Sequence, residues 1–207
     1  MTVPLVFGAL RGDLTVPADA FGVVAFAHGS GSSRHSPRNI AVAKTLQDNR
    51  LATALFDLLD PAEADRRFDI ELLTKRVLRV MDELARHEST RDLPLGLFGA
   101  STGAAAALRA AAARPDQVRA VVSRGGRPDL AGDALARVTC PTLLIVGGRD
   151  YEVLRLNEDA VQRLAGPHEL SVIPHATHLF EEPGALPAVA ELASDWFSGT
   201  LRVRENR

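Results

Sequence analysis

The sequence predicts an α/β fold with a mostly parallel central sheet covered by helices, and three observations carry that prediction. Short apolar runs rich in Val, Ile, Leu and Phe alternate with longer stretches of helical periodicity. Most of the short runs show no polar alternation, as expected of strands whose sheet is covered on both faces. No internal repeat, low-complexity linker or composition break divides the 207 residues, so a single domain is expected over 1–207.

An opening pair of strands is expected at 3–7 and 13–16, separated by glycine-containing turn sequence. Buried strands follow at 22–27 (GVVAFA), 52–57 (ATALFD), 95–98 (LGLF), 120–123 (AVVS), 142–146 (TLLIV) and 169–173 (ELSVI). Helices are expected at 37–49, 70–87, 102–113, 151–164 and 186–199. In the second of these, Leu72, Leu73, Val77, Val80, Met81 and Leu84 recur at helical spacing and form one apolar stripe facing the sheet. Ser36 before Pro37 suits a capped first turn, and Pro115 marks the end of the alanine-rich third helix. The alanines themselves suit close helix packing. Asp60, Glu63, Asp65, Arg66 and Arg67 are expected in a solvated loop.

Composition narrows the function. Hydrophobic residues make up 46% and charged residues 24%, the mixture of a globular chain rather than a disordered one. A chain of this length buries on the order of 70% of its unfolded surface and needs no metal or disulfide staple. With 24 Lys+Arg against 26 Asp+Glu, the net charge of −2 leaves no electrostatic footprint for nucleic acid or an anionic membrane. The lone Cys140 has no disulfide partner, and no leader-like or spanning segment is present; residues 93–108 fall short of the ~18 apolar residues a span needs. These features predict a cytoplasmic protein. Cys140, placed before the 142–146 strand, is expected to be a small buried hydrophobe. The sequence carries no mark of oligomeric state, so a homo-oligomer stays open.

After the LGLF run comes Gly99-Ala100-Ser101-Thr102-Gly103, leading directly into the alanine-rich helix. Strand, sharp turn and helix in immediate succession are what a nucleophile elbow requires. The flanking glycines allow close backbone approach, the turn projects Ser101 Oγ, and the Thr102 N–H stands at a helix N-terminus where developing negative charge is favoured. The bland alternative is a serine that caps the helix without chemistry.

A serine nucleophile needs a base, and the base needs an acid to fix its tautomer. Asp150 follows TLLIVGGR at the end of one expected strand, and His178 follows the last strand in PHATH, so the order Ser, Asp, His is met. His178 is preferred to His175 because it sits further into its loop; Glu152 is the rival to Asp150. Two histidines three apart could suggest a metal pair, but no further ligand cluster supports one, and neither metal nor cofactor is expected. The loop His28-Gly29-Ser30-Gly31-Ser32-Ser33 has small residues that let backbone approach an acyl oxygen. Its Ser30 N–H is the expected second oxyanion donor, with Gly31 next. His28 is expected to be structural, hydrogen-bonded under the loop. The loop lacks the Lys-Ser/Thr ending of a phosphate-binding P-loop.

With HGSGSS, GASTG, LLIVGGRD and ATHLF in this order, the chain resembles the α/β-hydrolase superfamily and looks like its dienelactone-hydrolase-related proteins from about residue 10 to 200. The resemblance implies Ser101 as nucleophile, Asp150 as acid and His178 as base. Two positions depart from the related pattern: dienelactone hydrolase has a cysteine where this chain has Ser101, and related sequences have glycine where it has His175.

The expected reaction is acyl transfer to water from a small ester, thioester or lactone. Ser101 attacks, His178 takes its proton, Asp150 orients the imidazole, and the Thr102 and Ser30 amides hold the oxyanion. A transferase or perhydrolase on the same residues, and a non-catalytic scaffold, are the rival readings. Little chain is left for a cap domain, so a small, soluble acyl compound is the expected partner. Arg34, Arg38, Arg124 and Arg127 fall in loops on the ligand side of the sheet, where a guanidinium fork would suit a substrate carboxylate. The alternative is that they pair with local acids or face water.

Overall fold

The computed structural model describes residues 2–7 and 10–202. Eight strands form one sheet: β1 (Thr2–Phe7), β2 (Leu10–Thr15), β3 (Gly22–Ala27), β4 (Leu51–Phe56), β5 (Leu95–Ala100), β6 (Val118–Arg124), β7 (Thr142–Gly147) and β8 (His168–Ile173). Their order is β1-β2-β4-β3-β5-β6-β7-β8. β1 and β2 run antiparallel, β2 is antiparallel to β4, and every later pairing is parallel. Five helices connect them: α1 (Pro37–Asp48), α2 (Ile70–Leu84), α3 (Thr102–Ala113), α4 (Tyr151–Val161) and α5 (Ala185–Leu201).

The expected elements are all present, with shifted ends. β2 begins at Leu10 rather than residue 13, because Arg11 does not interrupt a strand whose side chains alternate in burial: Leu10, Gly12 and Leu14 face the core while Arg11 stays outside. Phe7 pairs with Leu10; of the turn expected over residues 8–12, residues 10–12 belong to β2 and residues 8 and 9 lie outside the described residues. α2 stops at Leu84 rather than residue 87, where the Thr90 hydroxyl donates to the Leu84 carbonyl at 2.7 Å and so satisfies a chain-end acceptor.

The acidic and basic run after Asp60 is not a structureless loop but a short 3₁₀ segment, Pro61–Arg66. Asp60 accepts from the Ala62 N–H and the Glu63 carboxylate accepts from the Asp60 N–H, a reciprocal cap. Arg76 on α2 then holds the segment by donating to Glu63 and to the Leu58 carbonyl. A second 3₁₀ segment, Pro128–Arg137, fills the connection between β6 and β7, and no cap domain is present among the described residues.

Two apolar layers sandwich the sheet. On one face the α2 stripe, with Val77, Val80, Met81 and Leu84 buried, packs with the alanines of α3. Ala104 to Ala107 and Ala110 are fully buried, and their small side chains let α2, α3 and the sheet approach closely. On the other face Val42 and Leu46 of α1 and Val189 and Phe197 of α5 cover Phe26 and Phe98, whose rings lie 4.7 Å apart. Parallel strands leave their carboxyl ends on one edge, and the connections after β3, β5, β6, β7 and β8 therefore meet there.

Candidate active site

Ser101 is the pivot of this edge. It joins β5 to α3 with φ +50° and ψ −122°, a conformation that L residues rarely adopt and that costs on the order of 1–3 kcal/mol. The neighbouring glycines make the turn possible. A side chain on Gly103 would meet the Ala27 carbonyl oxygen at 2.1 Å, and one on Gly99 would meet Ala104 Cα at 2.4 Å. The loop after β6 holds the turn from the other side: the Ser101 N–H donates to the Arg124 carbonyl at 3.3 Å, and the Arg127 N–H donates to the Ser101 carbonyl at 3.1 Å.

Asp150 and His178 come together. His178 Nδ1 and Asp150 Oδ2 are 2.6 Å apart, a short charge-assisted contact, with the Asp150 side chain largely buried and the His178 ring partly open. Asp150 is placed by the tight turn in which its N–H donates to the Gly147 carbonyl, at the start of α4. The His178 loop is tied down twice: the Arg149 N–H donates to the Ala176 carbonyl, and the Thr177 N–H donates to Glu182 Oε1. The Thr177 side chain, and after it the backbone amides of Glu182 and Thr177, hold the Glu182 carboxyl below its ordinary pKa. Ser101 Oγ is not hydrogen-bonded to His178 in this arrangement; such contacts commonly tighten only around a bound substrate. His175 is exposed and takes φ +62°, the left-handed conformation that favours glycine. Glu152, the rival acid, lies in the first turn of α4 and is exposed, and the partner of His178 is Asp150.

The loop after β3 lies against the elbow. A side chain on Gly29 would meet Ser101 Cβ at 2.9 Å. The Ser30 N–H, the expected oxyanion donor, donates instead to the Thr102 hydroxyl at 3.0 Å. Sequence reasoning counted the Thr102 amide and overlooked its side chain, whose hydroxyl accepts the Ser30 amide. Gly31 is exposed with φ +73°. His28 is buried, with Nδ1 against the Gly29 carbonyl and Nε2 accepting the Leu58 N–H at 2.9 Å. Both nitrogens are thus occupied by a neutral ring, and burial pulls its pKa down. Beside this loop lies a cavity of about 490 Å³, with Leu58, Leu59, Ala64 and Leu73 as its apolar wall and Ser30 and Gly31 on its rim.

The four arginines separate sharply. Arg34 is spent on two carboxylates, Asp57 and Asp13, and also donates its backbone N–H to Asp57. Arg127 makes a two-pronged contact with Asp129 at 2.9 and 2.8 Å, which raises its pKa. Both guanidiniums have carboxylate partners within the fold, and Arg34 also lines the cavity beside Ser30. Arg38 makes only a 3.5 Å contact with the exposed Glu181. Arg124, expected in a loop, ends β6 and is buried without a carboxylate.

A sequence model of the alpha/beta hydrolase fold matches residues 22–179, from β3 to just past His178. The chain belongs to the α/β-hydrolase fold family. A dienelactone hydrolase from Anabaena variabilis, solved as a crystal structure, is 54% identical with a TM-score of 0.93, and the match covers 98% of each chain. This α/β-hydrolase is therefore related to dienelactone hydrolase, as the motifs imply. Est1E from Butyrivibrio proteoclasticus shares the fold at a TM-score of 0.82 and 16% identity, over 96% of this chain and 98% of its own. Two Mycobacterium tuberculosis proteins that carry the name phosphoribosyl transferase are 60% identical over 191 residues, 91% of this chain. The chain spans only 43% of the length of these curated relatives. No helix among the described residues is long and apolar enough to cross a membrane.

Proposed function

We propose that this α/β-hydrolase is a serine hydrolase that cleaves small esters, thioesters or lactones through an acyl-enzyme. The observation that carries the reading is Ser101, a non-glycine residue held at φ +50° on the same edge of the sheet as the His178–Asp150 pair. Folding energy is spent on holding that conformation, and such strain is concentrated at functional sites.

In the proposed cycle, His178 Nε2 takes the Ser101 proton as Oγ attacks the carbonyl. Asp150 holds Nδ1–H and balances the charge of the imidazolium. The Thr102 N–H is in the first turn of α3, where amides lack intrahelical partners and the helix dipole favours negative charge. The incoming oxygen replaces the Thr102 hydroxyl as acceptor of the Ser30 N–H, giving the second donor. His178 returns its proton to the leaving alcohol or thiol, then activates water, which releases the acid and restores Ser101. The cavity beside Ser30 and Gly31 supports an apolar substituent on one side of the reacting carbon.

The name carried by the mycobacterial relatives belongs to chains more than twice as long as the segment shared here, and the shared segment is the hydrolase fold. The hydrolase reading is therefore preferred for this chain. Treatment with a fluorophosphonate followed by intact-mass analysis tests it. One adduct is expected on the native protein and none on Ser101→Ala; an unlabelled native protein would sink the reading.

A further inference from the structure

We infer that Arg124 and Arg38, with the first turn of α1, form a buried oxyanion-binding subsite beside Ser101, which recognises a carboxylate or phosphate carried by the substrate. The subsite deepens the serine-hydrolase reading, on which it rests for its ligand being a substrate.

Arg124 is 8% exposed, and its Nη1 is buried with no hydrogen-bond partner. No ion pair to it exists among the described residues, and its only charged neighbour of influence is another cation, Arg38. Burial, and then the Arg38 charge, push its pKa down to about 10. A buried cation facing a second cation is costly unless an anion joins them. Arg38 repeats the pattern: its Nε is buried and unpartnered, and its one carboxylate contact, with exposed Glu181, is long.

The first turn of α1 adds a third electropositive element. It contains no acidic residue, and the buried Ser36 at its cap makes no side-chain hydrogen bond to the turn. Helix amides without a cap partner favour an anion. Three features that ordinarily attract acidic side chains therefore share one region in which the single carboxylate contact is the long one from exposed Glu181 to Arg38, whereas Arg34 and Arg127 have been given aspartates.

Position ties the subsite to the chemistry. The Arg124 carbonyl accepts the Ser101 N–H, and Gly125, the next residue, lies against His178, so that a side chain there would be 3.5 Å from the ring Cε1. Arg38 meets the His178 loop through Glu181. An oxyanion on the substrate would complete the pair of guanidiniums and fix the reacting carbonyl at the elbow, with planar carboxylate geometry suited to the Arg124 fork.

The test uses Ser101→Ala protein, so that affinity is read without turnover. Succinamic, glutaramic and adipamic acids, the matching phosphonates, and neutral hexanamide are titrated by calorimetry. At least one anionic rung should bind tighter than hexanamide by roughly 10–100-fold, as for a hydrogen bond to a charged group. Arg124→Met and Arg38→Gln, each in the Ser101→Ala background, should remove that preference. The carboxylate and phosphonate series identify which oxyanion is preferred. In the absence of ligand, Arg124→Met should raise the thermal midpoint, since it removes an unpaired buried charge; a merely structural arginine would lower it. Equal binding of anionic and neutral probes at every length, or an anion preference that survives Arg124→Met, overturns the subsite. Because these readouts are equilibrium affinities, failure of fluorophosphonate labelling would strike the hydrolase reading alone.

Discussion

At the scale of single residues, the chemistry turns on strain and pairing at a few positions. In the proposed cycle Asp150 fixes the tautomer of His178, so Asp150→Asn should lower kcat by roughly 10³–10⁴-fold with little change in the fold, checked by ester kinetics beside circular dichroism. His175 stands at φ +62° in the same loop, and His175→Gly should raise stability by about 0.5–1 kcal/mol, read from chemical denaturation. Cys140 is buried and its thiol is pushed up to about 11, which keeps it protonated at neutral pH. It should resist iodoacetamide in the native protein at pH 8 and react once the chain is unfolded, as mass spectrometry would show. The placement of Ser101 at the sharp β5–α3 turn and the pairing of Asp150 with His178 were legible because each position carries its own local pattern of glycines, strand end or order. The engagement of the Ser30 amide by the Thr102 hydroxyl was not, since the two residues lie 72 positions apart and a hydroxyl has no periodic signature.

At the scale of elements, the site is a set of strand ends clamped by loop backbone. The elbow requires α3 to enter directly over the end of β3. Gly103→Ala places Cβ 2.1 Å from a backbone oxygen of β3, and should cost on the order of 3 kcal/mol or abolish folding, measured by urea denaturation. His28 joins the ends of β3 and β4 as a neutral ring, its pKa held below the ordinary value by burial. The unfolded chain therefore binds the extra proton first. This contribution to stability is complete above about pH 6.5 and declines as pH falls through that value toward the lowered folded pKa. His28→Asn, which cannot titrate, should show a shallower fall in melting temperature between pH 7.5 and 5.5. Strands and helices could be read from apolar runs and periodicity, but the 3₁₀ segment Pro61–Arg66 could not. Beyond its own Asp60–Glu63 cap it is held by Arg76 on α2, and the charged run looks solvated until that partner is known.

At the scale of the whole molecule, the described residues form the α/β-hydrolase core with no cap segment among them, and a cavity of moderate size lies beside the Ser30 loop. Turnover of 4-nitrophenyl esters should accordingly be highest for short acyl chains and fall for decanoyl and longer ones; a preference for long chains would argue against this site. The chain by itself determined the class of fold, the order of its elements and the Ser-Asp-His succession, because hydrophobic period, glycine spacing and chain order are properties of neighbours in sequence. Tertiary structure decided how the arginines are used. All four lie in similar loop-like sequence, yet folding gives Arg34 two aspartates and Arg127 one, leaves Arg38 with a long contact, and buries Arg124 with no carboxylate at all. Charge pairing depends on which side chains meet across strands and helices, and desolvation depends on what covers them, so neither is written in any local run of residues.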